Sequence, residues 1–241
     1  MIRKGLFSLC FCYAISAGAQ QVIDGYGAVV RSDTLQKEIY LCFTGHDYDE
    51  GFDHVLKVLK EQGVKASFFL TGDFIRSHKK WIRDWSQNGY FIGAHSNKHV
   101  LYNDWEKRDS LLLTPNEIKI DIANNLLELN RLEIMPTYFM PPYEWYNTEV
   151  VRIAKSLGQI TVNFSSGTRS NADYTTPDMK NYVTSNRILE SIYEHESEKG
   201  MNGFHLLIHP GTSPRRTDKL YLHLETLIVY FKQRGYGFGR F

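Results

Sequence analysis

Asp47, His95 and His99 are side chains of the types that hold a divalent cation: one carboxylate and two imidazoles. Such a three-ligand set leaves a coordination position open for water, which suits a hydrolytic metal rather than a structural one. His46 stands beside the carboxylate and has three readings: a base, a further ligand, or a loop residue with no role. A second His-x-x-x-His pair, His205 and His209, lies far along the chain. His209 ends an apolar run, and His205, two pleats earlier on the same face, reads as a satisfied interior residue.

Spacing alone is weak, because histidine pairs at this distance arise by chance. Placement gives it weight. Short β-type runs occur at Glu38–Thr44, Ala66–Thr71, Tyr90–His95, Tyr138–Pro141, Ile160–Phe164, Phe204–His209 and Tyr236–Phe241. Helix-type stretches alternate with them at Gly51–Gln62, Ser77–Gln87, Pro115–Leu132, Thr148–Leu157, Pro177–Lys199 and Asp218–Arg234. Thr114-Pro115-Asn116-Glu117 has the form of a helix N-terminus, and Gly63, Gly89, Gly158, Gly200 and Gly235 read as stops.

Strand–helix alternation predicts βαβ units around a parallel sheet, either open or closed into a barrel. No Gly-rich phosphate loop follows the first strand, which argues against a nucleotide-binding open sheet. No Gly-x-Ser-x-Gly elbow is present, which removes a serine hydrolase of α/β type. In a barrel the chemistry belongs after the strands' C-terminal ends. Asp47, His95, Tyr143 and His209 all follow strands, and Asp173 stands in the loop after the fifth.

In chain order, FTGHDYDEGFDHVLKVLKEQGVKASFFLTG, IGAHSNKH, YFMPPYEW, the Asp173-Tyr174 pair and LLIH resemble the five motifs of the polysaccharide deacetylases (carbohydrate esterase family 4, NodB homology). The resemblance runs over roughly residues 38–241, with the first and third motifs altered. It implies a distorted (β/α)7 barrel and metal-dependent removal of acetyl groups from a glycan, expected to contain N-acetylglucosamine. Carried over residue by residue, it makes Asp47, His95 and His99 the ligands of a divalent metal, zinc first and cobalt or nickel as alternatives. His46 then stands in the base position, His209 in that of the general acid, and Asp173 orients His209. Tyr143 takes the place whose backbone N–H helps hold the oxyanion, with Pro142, Tyr143 and Trp145 against substrate.

Two family residues are replaced together. The base aspartate is His46, and the arginine that contacts it is Met140. An arginine that restrains a carboxylate has no purpose beside an imidazole. A gapped register would instead make Asp49 the base and Glu50 the ligand, but it leaves too little chain for the first helix. The departures keep open a rival reading, a glycan-binding barrel with a structural metal.

Composition narrows the remaining classes. Residues 1–19 have the basic start, apolar run and Ala17-Gly18-Ala19 ending of a signal peptide, so export to a periplasm or medium is expected. Residues 20–37 read as a lead-in to a catalytic domain over 38–241. No later segment has the length and apolarity of a membrane span. Without Arg3 and Lys4, 26 basic residues face 27 acidic ones, a balance that gives no footing for nucleic acid. Cys10 and Cys12 lack the small residues of a lipidation box, and Cys42 reads as a core residue. Tyr48, Tyr102, Trp105, Trp145 and Tyr146 are candidates for stacking on sugar rings, with packing as the alternative. Arg215 and Arg216 read either as contacts to an anionic glycan or as a solvated helix start.

Overall fold

The computed structural model describes residues 20–241. The expected signal peptide, with Cys10 and Cys12, lies outside them. In chain order the elements are β1 (Val22–Ile23), β2 (Val29–Arg31), β3 (Glu38–Gly45), α1 (Phe52–Glu61), β4 (Ser67–Leu70), α2 (Gly72–Ser77), α3 (Lys79–Gln87) and β5 (Phe91–Ala94). There follow α4 (Pro115–Asn130), β6 (Tyr138–Phe139), α5 (Thr148–Ser156), β7 (Ile160–Thr161), α6 (Ser185–Lys199), β8 (Phe204–Ile208), α7 (Leu224–Gln233) and β9 (Gly237–Gly239).

The sheet runs β1-β2-β8-β3-β4-β5-β6-β7, and every pairing from β8 to β7 is parallel. It curls into the barrel type expected from the alternation. β9 pairs with Glu38–Tyr40 at the start of β3, before the pairing with β4 begins at Cys42. β2 spans the gap in the curl. It pairs with β8 on one side, and on the other Val29 bridges Val162 while its carbonyl accepts from the Asn163 N–H at 3.0 Å. The lead-in thus contributes two strands, β1 and β2, to the sheet.

Alternation along each strand sorts side chains to two sides. Ile39, Leu41 and Phe43 of β3, with Phe204, Leu206 and Ile208 of β8, join the larger core under the helices. Cys42, Phe69, Leu207, Val29, Val162 and Met140 form a second cluster on the sheet's inner face. Each such buried apolar side chain contributes about 1.5–3 kcal/mol. His205 lies on this inner side against Tyr40 and Phe241. Its Nδ1–H donates to the Asn163 carbonyl at 2.7 Å and its Nε2 meets the Ser32 hydroxyl at 2.8 Å, which satisfies both nitrogens.

Local signals act as written. The Glu117 N–H donates to the Thr114 hydroxyl and the Thr114 N–H to the Glu117 carboxylate, a complete capping box for α4. Gly89 and Gly158 end helices with φ of +82° and +75°, which no other residue adopts so readily. Three boundaries differ from expectation. A short helix, α2, starts at Gly72 because the Thr71 hydroxyl accepts from the Phe74 N–H. α6 begins only at Ser185, capped by Thr184, so 177–184 is loop. The stretch from Asp218 splits into a 3-10 turn over Leu220–His223 and then α7.

Candidate active site

The rim after the C-terminal strand ends carries all the chemistry-bearing side chains. His95 follows β5 and is buried, with its N–H on the Asn125 side-chain oxygen at 2.9 Å. Asn125, from α4, also donates to the Leu70 carbonyl and so ties the ends of β4 and β5. The His95 Nδ1–H donates to the Met140 carbonyl at 2.8 Å, a bond that fixes the tautomer and leaves Nε2 as a free electron pair. Burial pushes its pKa down to about 3, and His46 and His209 nearby push the same way. His95 is therefore neutral at any ordinary pH.

The loop that follows is shaped by Asp121 of α4. Its carboxylate accepts from the N–H groups of Asn97 and Lys98 and from the Tyr102 hydroxyl. Ser96 and His99 take φ of +70° and +52° within this loop, and the Ser96 hydroxyl accepts from the His99 N–H. The His99 ring lies 5.0 Å from that of His95 and 4.0 Å from that of His46, on which it stacks at 23°. Burial, with His95 and the other imidazoles adding, holds the His99 pKa far below the usual range.

His46 is lowered as well, by burial, against the opposing pull of Asp47 and Asp73. Its Nε2 sits 3.2 Å from the Asp47 carboxylate, and its Nδ1 is buried without a partner. The Asp47 side chain is 68% exposed and lies against His46. Three neutral rings and one carboxylate are the donor chemistry a divalent metal requires, and the orphaned His46 Nδ1 and the fixed His95 tautomer fit it. As the side chains lie, no three His, Cys, Asp or Glu among the described residues are gathered closely enough to share one ion. Asp49 and Glu50, the gapped-register candidates, face elsewhere: Asp49 pairs with His78 at 2.9 Å, and Glu50 with Lys219 at 2.7 Å.

His209 follows β8. Its Nδ1–H donates to the Asp173 carboxylate at 2.5 Å, and its backbone N–H donates to the other oxygen at 2.8 Å. Burial favours the neutral ring, but the Asp173 charge and hydrogen bond, helped by Glu144, raise its pKa overall. Asp173 is itself 1% exposed.

Pro142 and Tyr143 stand in a 3-10 turn after β6. Tyr143 is exposed and its ring meets that of His99 at 4.4 Å. Tyr143 and Glu144 both take positive φ, +59° and +53°, a strain on the order of 1–3 kcal/mol each for residues with a Cβ. Trp145 is half-buried, with its Nε1–H on the Asp104 carbonyl and Arg108 over its ring. Trp105 is exposed beside both Tyr143 and Trp145. Tyr48 and Tyr174 are exposed too, the latter edge-on to His209.

Tyr102, Tyr146 and Arg216, three other candidates, are packing residues. Tyr102 and Tyr146 are fully buried, held by Asp121 and Asp24. Arg216 is also fully buried, bonded to the carbonyls of Thr175 and Val183, so it is neither a glycan contact nor a solvated helix start. Arg215 pairs with Asp178 on the surface. Asn125 and Glu144 do not stand out in the sequence. Asn125 carries only the signal of a polar residue amid an apolar helix pattern, and Glu144 only its place in a rim loop.

The family profile for polysaccharide deacetylases matches residues 31–162. The chain belongs to the polysaccharide deacetylase family. It is 30% identical over 154 residues to the peptidoglycan-N-acetylmuramic acid deacetylase PdaA of Bacillus subtilis, covering 62% of this chain and 55% of that one. The chain spans about half the length of the first curated relatives it matches. The solved structure of Bacillus subtilis PdaA, a family 4 carbohydrate esterase, superposes with a TM-score of 0.68 at 23% identity, over 92% of this chain and 93% of that one. A family 4 pseudoenzyme from Bacillus anthracis reaches 0.69 at 21% identity, over 90% and 68%. At these identities the structural likenesses establish the barrel of this family member and not turnover.

Proposed function

We propose that this chain is an exported, metal-dependent hydrolase that removes acetyl groups from an acetylated glycan, expected to contain N-acetylglucosamine. The observation that carries the reading is the doubly bonded His209–Asp173 pair standing on the same rim as three neutral imidazoles. A relative at 30% identity that bears the name of a peptidoglycan deacetylase supports it. In this reading His95 and His99 hold a divalent metal, zinc first, and Asp47 or the adjacent His46 supplies the third donor. Bound there, a divalent metal acidifies a water and polarises an acetyl carbonyl.

The remaining roles belong to the chain's own groups. Asp173 keeps His209 oriented and stabilises its charged form, so that the imidazolium can protonate the leaving amine. The Tyr143 N–H helps hold the oxyanion. Pro142, Tyr143 and Trp145 line the approach of the sugar, and the exposed Trp105 extends that aromatic wall. Periplasmic or secreted residence is part of the proposal and is supported by the signal-peptide pattern of the sequence over 1–19. Among the described residues no helix is long and apolar enough to cross a membrane.

A second reading has one specific support. His46 stacks on His99 with Nδ1 free, so it is placed to close a ligand set and leave no position for water. That arrangement would make the chain a glycan-binding barrel, and a neighbour of the same fold from Bacillus anthracis is itself a pseudoenzyme. Mass spectrometry of chitin oligomers and peptidoglycan fragments after incubation with zinc-loaded protein separates the two. Deacetylated products support the hydrolase, and unchanged glycans that still bind the protein support the alternative.

A further inference from the structure

We propose that Trp105 carries a second sugar site: it stacks on the ring next to the one that loses its acetyl group, so the substrate is a chain of at least two sugars. This rests on the deacetylase reading and deepens it.

Trp105 stands at the outer end of a run of neighbouring rings that begins at the candidate metal ligands. The His99 ring meets that of Tyr143 at 4.4 Å, and Tyr143 meets Trp105 at 5.7 Å, edge to face. Trp105 also packs against Trp145 at 5.5 Å. Apolar side chains exposed singly are ordinary on a protein surface, whereas a contiguous exposed patch marks a contact. Here Trp105 is 56% exposed and Tyr143 44%, side by side.

The loop holds the indole in place. Asn103 bridges Leu111, the Asp104 N–H donates to the Ser110 carbonyl, and the Leu112 N–H donates to the Tyr102 carbonyl. The Asp104 carboxylate accepts from the N–H groups of Glu106 and Lys107, which fixes the turn directly at Trp105. Two further bonds tie this loop to the turn after β6: the Trp145 Nε1–H to the Asp104 carbonyl at 3.1 Å, and the Arg108 Nε–H to the Tyr146 carbonyl at 2.6 Å. The Arg108 guanidinium lies over the rings of Tyr26 and Trp145, at 3.9 and 4.1 Å. Tyr143 carries its ring against His99 from a left-handed backbone, a conformation that persists only where the surroundings enforce it. Trp105 and Tyr143 are thus held at a set spacing before any glycan arrives.

The occupant follows from chemistry and position. A β-linked glucosamine ring keeps its polar groups around its rim and presents C–H bonds on its two faces. Such a face laid on an indole buries apolar area and sets slightly positive hydrogens on the negative face of the ring, while the rim hydroxyls stay in water. Tyr143 borders the reacting sugar, so Trp105, one ring further out, meets its neighbour. Around it Asp104, Glu106 and Asp109 outnumber Lys107 and Arg108, so the loop offers no net positive charge to an anionic group. The second sugar is a neutral one.

The test measures binding of N-acetylglucosamine and of its chitin tetramer to zinc-loaded wild type, Trp105→Ala and Trp105→Phe by isothermal titration, with acetate release and melting temperatures alongside. Wild type should bind the tetramer at least about tenfold more tightly than the monosaccharide, and Trp105→Ala should lose most of that ratio. Trp105→Phe, which keeps an aromatic face, should retain part of it. In turnover of the tetramer the loss in Trp105→Ala should fall on KM, about tenfold, with kcat within about threefold. A folded Trp105→Ala with the full preference for the tetramer overturns the second sugar site and leaves the deacetylase reading intact. So does a wild type that releases acetate but binds the tetramer no better than the monosaccharide. A preference that depends on Trp105, with no acetate released, overturns the deacetylase reading instead and assigns the same site to a glycan-binding barrel.

Discussion

The Asp173 carboxylate receives both the ring Nδ1–H and the backbone N–H of His209, at 2.5 and 2.8 Å, from a position almost sealed from solvent. One carboxylate thereby fixes the tautomer, the ring plane and the main chain of the same residue. Asp173→Asn should keep the geometry but remove the charge that raises the His209 pKa, so NMR titration of the ring should move to lower pH. The sign for stability follows. A raised pKa adds stability in full below the unfolded value near 6.5, lost as pH rises through the folded value. The variant should therefore lose more melting temperature at pH 6 than at pH 9.

Metal binding should depend on His95 and His99 more than on any other pair. Isothermal titration with zinc should give one equivalent for wild type and at least 100-fold weaker binding for His95→Ala or His99→Ala. At a free concentration 100 times its dissociation constant, the metal should stabilise wild type by about 2.7 kcal/mol. His46→Ala and Asp47→Ala, run together, identify the third donor by which of them weakens the affinity.

Arg215 and Arg216 are neighbours with opposite surroundings. Arg215 is exposed and paired with Asp178, and Arg216 is fully buried among carbonyls of the loop that carries Asp173. In urea titrations Arg215→Ala should change stability by less than about 0.5 kcal/mol. Arg216→Ala should cost about 3–5 kcal/mol, because the carbonyls it satisfies are left without a donor.

That contrast marks where sequence reading stops. The strand–helix order, the Thr114 cap and the rim placement of His95, His99, Tyr143 and His209 were legible because each follows from a local pattern. The fate of Arg216 was not, since burial of a loop arginine depends on a loop about 40 residues away in the chain closing over it. Glu144 is silent in the sequence for a related reason: a backbone turned to positive φ by its contacts leaves no mark in side-chain spacing. The third-donor question around His46 and Asp47 also stays open in sequence, because stacking of His46 on His99 is a tertiary event.

His205 makes a separate prediction about pH. It is buried and bonded on both nitrogens, and burial holds its pKa down to about 4. The unfolded chain binds this proton below pH 6.5 and the native chain does not, so stability should fall between pH 6.5 and 4. The loss is worth up to about 3 kcal/mol for this one ring. Denaturant titrations of metal-free protein should show that slope, and His205→Gln should flatten part of it.

The central claim, metal-dependent acetyl removal through His209, is tested most directly by one measurement of acetate release. Metal-stripped protein, protein reloaded with zinc, and reloaded His209→Ala would be incubated with the same N-acetylglucosamine oligomer. The account predicts release by the reloaded wild type, none above background by the stripped protein, and a loss of at least 100-fold in His209→Ala. Equal release by His209→Ala, or none from any acetylated glycan by wild type that carries its metal, would contradict it.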